Sequence, residues 1–189
     1  MKKIILFGDS IFNGYRYGED TNLVTIGMQE ALGSGVQIEN LSKSGATTTE
    51  GLNYLGQIDP RADLVVLEYG TNDAASSWGI PSNTYAQNLA TMIKTIGASR
   101  MIIVGPSYPD PNNKEIMQFY STDRLNLYNR IAKNQAQKNS IPFVDLIAHW
   151  RKLSDVSSYY QKDGQHLLDQ GNAELIAQVA GVIKEKIEQ

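Results

Sequence analysis

The sequence predicts an open α/β fold, a five-stranded parallel sheet with helices on both faces. Three observations carry this. Short apolar runs alternate with amphipathic helical patterns along the whole chain. Three of those runs are near-continuous in Val, Ile and Leu, as in strands covered on both faces, whereas half-exposed strands alternate. No internal repeat, low-complexity run or linker breaks the alternation, which fits one domain over residues 1–189.

The elements follow in order. The first strand is expected at residues 3–7 (KIILF), running into Gly8, Asp9 and Ser10. A helix is expected at 21–32, with Leu23, Ile26, Ala31 and Leu32 near one face. The strand at 36–41 (VQIENL) alternates, placing it nearer an edge. The strand at 64–69 (LVVLEY) is followed by "SNTYAQNLATMIKTIGA", a helix with Ser82 or Asn83 as N-cap and Gly97 as stop. After a strand at 101–105 comes "GPSYPDPNNKE", whose prolines forbid a helix. It reads as a surface loop or a pocket wall. "DRLNLYNRIAKNQAQKN" then carries Leu125, Tyr128, Ile131 and Ala132 at helical spacing. The strand at 141–146 (IPFVDL) is the fifth. The last helix begins near Asp169 and turns Leu175, Ile176, Val179, Val182, Ile183 and Ile187 inward.

Composition narrows the function. A chain of 189 residues with 41% hydrophobic and 20% charged residues matches an ordinary globular domain with a sizeable core. A net charge of −3 gives no basic footprint for nucleic acid or anionic membrane. The absence of cysteine excludes disulfides, thiolate catalysis and Cys-based metal sites. Lys2-Lys3 ahead of apolar residues imitates a signal peptide. The run ends after Phe7, without a small-residue cleavage site. No stretch has the length of a membrane span, and a cytoplasmic protein is the expectation.

Right-handed crossovers place every strand-to-helix loop at one edge of such a sheet, where ligands bind. Those loops read "GDSIFNG", "SKSGATT", "GTNDA" and, beyond an intervening helix, "KDGQHLLDQG". Taken alone, Ser10 reads as a helix N-cap. As a nucleophile it needs a base, because a hydroxyl attacks poorly until something takes its proton. Of the two histidines, His149 in "DLIAHWRK" reads as packing near Trp150. His166 stands three residues after Asp163, a spacing that lets the carboxylate orient the imidazole. The same stretch also reads as a tight Asp163-Gly164 turn with His166 capping the next helix. An ester carbonyl under attack needs donors already aimed at its oxygen. Gly45 offers a backbone N–H free of a side chain, Asn72 an amide, and Ser10 its own N–H at the start of a first helix. Each has an ordinary turn or cap reading, and only the combination favours chemistry. Asp9 and Asp73 are expected to bond the loop backbone rather than a metal.

These blocks resemble those of the SGNH hydrolases, the GDSL-type esterases and lipases. "FGDSIFNG", "NLSKSGATT", "GTND" and "DGQHLLDQG" stand in family order over residues 5–171. The resemblance implies a flavodoxin-like three-layer α/β/α fold. It implies Ser10 as nucleophile with His166 and Asp163, and an oxyanion hole of Ser10, Gly45 and Asn72. Many members have Leu where this chain has Ile11, a volume-conserving change.

Other mechanisms fail on the residues. Phe12 stands where a G-x-S-x-G elbow needs its second glycine. There is no P-loop, no dinucleotide fingerprint and no H-E-x-x-H pair. The expectation is a serine hydrolase of small acyl esters, needing no metal or cofactor and inserting into no membrane. Thioesters, lysophospholipids and acetylated sugars remain as alternative substrates, and a non-catalytic flavodoxin-like binding module as the rival. Tyr69, Trp78, Tyr108, Tyr159 and Tyr160 are candidate pocket aromatics, and the oligomeric state is left open.

Overall fold

The structure, a computed structural model, describes residues 1–188. β1 (Lys2–Gly8), β2 (Val36–Asn40), β3 (Leu64–Glu68), β4 (Met101–Val104) and β5 (Phe143–Val144) form one all-parallel sheet in the order β2-β1-β3-β4-β5. The alternating strand β2 does lie at an edge. β1 is the switch point, because the chain goes one way from it to β2 and returns on its other side as β3. In such sheets the crevice beyond the carboxyl ends of the strands at that point is the ligand site.

Helices cover both faces. α1 (Leu23–Leu32) packs on α7 (Asp169–Glu188), while α4 (Ser82–Ile96) packs on α5 (Thr122–Lys138) and on α2 (Thr48–Tyr54). The short helices α3 (Thr71–Ala74) and α6 (Leu146–Trp150) follow β3 and β5. Between these layers Ile4–Phe7, Leu64–Leu67 and Met101–Val104 are all buried, which explains their unbroken apolar runs. Burying each such side chain contributes about 1.5–3 kcal/mol relative to leaving it exposed. Among the described residues no helix is long and apolar enough to cross a membrane.

Four local expectations change. The helix expected at 21–32 starts at Leu23, and its buried side chains are Val24 and Met28, while Leu23 and Ile26 are 37% and 53% exposed. The cause is tertiary: α7 sits so close that a Cβ on Gly27 would lie 2.4 Å from Ile176. The helix expected from Ser82 or Asn83 as cap is instead capped by Pro81, whose carbonyl accepts the Tyr85 N–H. The fifth strand shrinks to two residues. Pro142 has no N–H for the ladder, and the Asp145 carboxylate turns to cap α6 through the Ala148 N–H. Finally, no helix begins at Ser10. The chain there makes a single turn, with the Asn13 N–H on the Asp9 carbonyl, and α1 starts 13 residues later at Leu23.

Candidate active site

Ser10 lies just past β1 and is 4% exposed. Its Oγ stands 3.0 Å from His166 Nε2. His166 Nδ1 stands 2.8 Å from Asp163 Oδ2. If Nδ1 carries the hydrogen that Asp163 accepts, Nε2 is left as the acceptor facing the hydroxyl. The turn reading of "DGQH" holds, but His166 does not cap the next helix, which starts at Asp169. Gly164 makes the turn at φ +72, and Asp163 Oδ1 accepts the N–H groups of Gln165 and His166, each at 2.9 Å. The local turn therefore aims the second carboxylate oxygen at the ring. Partial burial pushes the Asp163 carboxyl up, but bonding to His166 and to these backbone N–H groups holds it below its ordinary value.

Long-range bonds pin this loop. Gln161 donates to the Tyr15 and Leu167 carbonyls and accepts the Tyr17 N–H, tying the segment after Ser10 to the segment before His166. The Tyr15 ring packs on the His166 ring, with centroids 4.5 Å apart. The loop at 105–115 braces the far side: Asp110 N–H donates to the Gly164 carbonyl and Asn113 to the Lys162 carbonyl. It lies in a wall of the base-bearing loop, not of the pocket.

The candidate donors Gly45 and Asn72 line the same cavity as Ser10. Gly45 has φ +77, and an added Cβ would meet nothing within 4 Å, so its glycine serves the left-handed backbone rather than a close approach. Neither its N–H nor that of Ser10 bonds an acceptor among the described residues. Asn72, in α3, donates to Asp9 Oδ2 at 3.1 Å and to the Ala46 carbonyl at 3.2 Å, while Trp78 Nε1 approaches its Oδ1 at 3.4 Å. Both Asn72 hydrogens are thus engaged, and a substrate oxygen would share one of them.

Ser10, Gly45, Asn72 and His166 line an open cavity of about 390 Å³, together with Tyr15, Ser44, Trp78 and Gln165. Of the five candidate aromatics only Trp78 lines it. Tyr69, Tyr108 and Tyr160 are buried in the core. Tyr15, Ser44 and Gln165 were missed, although each neighbours a motif residue in sequence. His149 is away from the site, 3.0 Å from Glu174 and beside Trp150.

Beneath the nucleophile lie Asp9, Glu68 and Asp73, all 0% exposed. Asp9 Oδ1 accepts the Ile11 N–H at 2.9 Å, and Asp73 Oδ1 the Thr48 N–H at 2.9 Å, as backbone-bonding residues should. Burial pushes both carboxyls up to about 6, against the pull of those bonds, and pushes Glu68 well above the usual carboxylate range, with Asp9 adding to the rise. Among the described residues no group of three or more His, Cys, Asp or Glu is arranged to hold a metal ion.

Comparison with known proteins places the chain. Residues 6–174 match the model of the GDSL-like lipase/acylhydrolase family. The crystal structure of a lipase/acylhydrolase from Enterococcus faecalis superimposes with a TM-score of 0.91 at 28% identity, over 98% of this chain and 97% of that one. The crystal structure of TesA gives 0.77 at 24% identity, over 98% and 99%. That of a carbohydrate acetylesterase from Sinorhizobium meliloti gives 0.73 at 18%, over 98% and 99%. No curated protein sequence matches.

Proposed function

We propose a mechanism for this chain, which belongs to the GDSL-like lipase/acylhydrolase family and hydrolyses ester bonds. Ser10 Oγ attacks the ester carbonyl while its proton passes to His166 Nε2. Asp163 holds the ring and stabilises the imidazolium. The carbonyl oxygen, now an oxyanion, accepts from the N–H groups of Ser10 and Gly45 and shares an Asn72 amide hydrogen. His166 returns the proton to the leaving alkoxide, which departs as the alcohol and leaves an acyl-Ser10. Water then attacks the acyl group, giving its proton to His166. Collapse releases the acid and re-protonates Ser10.

The observation supporting this is the unbroken chain from Ser10 Oγ through both His166 nitrogens to Asp163, at 3.0 and 2.8 Å. Small esters are the substrates we favour, on the cavity's modest volume and the polar side chains of Ser44, Asn72 and Gln165 in its lining. Ser10→Ala is expected to abolish turnover of a short activated ester such as p-nitrophenyl acetate while leaving the circular dichroism unchanged. Equal turnover by variant and parent would remove the assignment. A panel of short and long acyl esters, thioesters and acetylated sugars ranks the substrate, with the short esters expected first.

A further inference from the structure

Glu68 ends β3 and pairs in register with Gly8, at the switch point of the sheet. It is fully buried, although it is an acid in an otherwise apolar strand. Its Oε2 accepts the Asp9 N–H at 3.2 Å, which places the two acids side by side. Its Oε1 has no hydrogen-bond partner among the described residues. A Cβ on Gly8 would lie 2.5 Å from the Glu68 carbonyl oxygen and 2.7 Å from its Oε2, so the two strands approach closely here.

No Lys or Arg among the described residues is buried to balance these acids. Two neighbouring carboxylates, one accepting the other's backbone N–H and both sealed from water, do not both ionise, and the pair retains a proton. Asp9 is the better home for the negative charge, because it accepts from the Ile11 N–H and the Asn72 amide. Glu68 accepts only the Asp9 N–H.

We propose that Glu68 is a positioning residue, a neutral carboxylic acid that donates its proton to Asp9 and so fixes the Asn72 amide at the mouth of the oxyanion hole. The catalytic part rests on the function proposed above. A second ionised carboxylate here would place further negative charge behind the forming oxyanion and oppose it. The titratable groups facing Glu68 are Asp9, Asp73 of α3, Tyr69, and Tyr85 of α4, while its partner across β4 is Val104. Burial favours the neutral form of both tyrosines, so neither supplies a compensating cation.

Glu68→Gln and Glu68→Leu test this. Gln keeps a donor for Asp9 and an acceptor for its N–H, whereas Leu keeps neither. Glu68→Leu is expected to lower kcat about tenfold, below the loss for a whole oxyanion donor, with KM within about twofold. Gln is expected to restore kcat to within about threefold of the parent. In urea unfolding between pH 5 and pH 8, the parent is expected to lose midpoint relative to Glu68→Gln as pH rises. Parallel midpoints at every pH would mean that Glu68 holds no proton, and would overturn the proposal. So would a Leu variant as active as Gln, or a Gln variant as impaired as Leu. If Glu68→Leu does not fold, the alkaline limb of kcat decides: Glu68→Gln must hold its rate to higher pH than the parent. The unfolding series does not use catalysis, so Ser10→Ala retaining turnover would remove the function reading and leave the proton assignment standing.

Discussion

Asp163 and Asp9 are the same residue type a few bonds from the same serine, yet they are held in opposite ways. The Asp163 side chain is 44% exposed and sits in a local turn that gives it two N–H donors and an imidazole. Its ionised form is favoured. Asp9 is sealed beneath the sheet edge, with Glu68 and Asp73 around it, and its ionised form is disfavoured. The difference shows that the charge state of a carboxylate follows its partners and its access to water. In the proposed mechanism one arm stabilises the cation that forms during reaction, and the other limits negative charge where the oxyanion forms.

The largest expected effect lies on the exposed arm. Asp163→Asn is expected to lower kcat by about 10³–10⁴, because an amide fails to fix the ring tautomer. Steady-state rates on a short ester check this, and a loss under tenfold would break the contrast by making Asp163 a turn residue only. On the buried arm, Asn72→Ala is expected to cost about 10²–10³ in kcat with little change in KM.

Stability separates the two arms by sign. Asp9 and Asp73 are raised to about 6 from values near 4 when unfolded. Stability from their neutral forms is therefore full below pH 4 and lost as pH rises through about 6. Asp163 is lowered, so its contribution is present above pH 4 and lost as pH falls below it. Denaturant midpoints are expected to peak near pH 4 and to fall between about pH 4 and 6. A midpoint rising steadily from pH 4 to 8 would contradict the buried arm. Gln161→Ala, which removes the tie between the segment after Ser10 and the loop bearing His166, is expected to cost about 1–3 kcal/mol by leaving the Tyr17 N–H and the Tyr15 and Leu167 carbonyls without that partner. The smallest effect belongs to the exposed Arg16–Asp169 pair. Arg16→Ala is expected to leave the midpoint and the rate unchanged within error at moderate salt.

The exposed arm was legible in the sequence because its chemistry is local. Asp163, Gly164 and His166 lie within four residues, and the turn that shapes them is written in the same letters. Ser10, Gly45 and Asn72 were legible as loop residues following strands, since topology gathers such loops at one edge. The buried arm was half legible: Asp9 and Asp73 were expected to bond backbone, but Glu68 passed as one acid in "LVVLEY". The signal was there, since a charged residue at the end of a strand covered on both faces needs a special partner. Tyr15 and Gln161 were missed because their roles arise from contacts across about 150 positions of chain. The face of α1 was misread for a similar reason, because α7 chooses which of its side chains are covered.

The central claim is that Ser10 is made reactive by the groups gathered around it. The most direct measurement is peptide mapping by mass spectrometry after treatment with a fluorophosphonate. The expected result is one adduct per chain, on Ser10, formed far more slowly in a His166→Ala variant. An adduct on another residue, or full turnover by protein that carries the adduct on Ser10, would contradict the account.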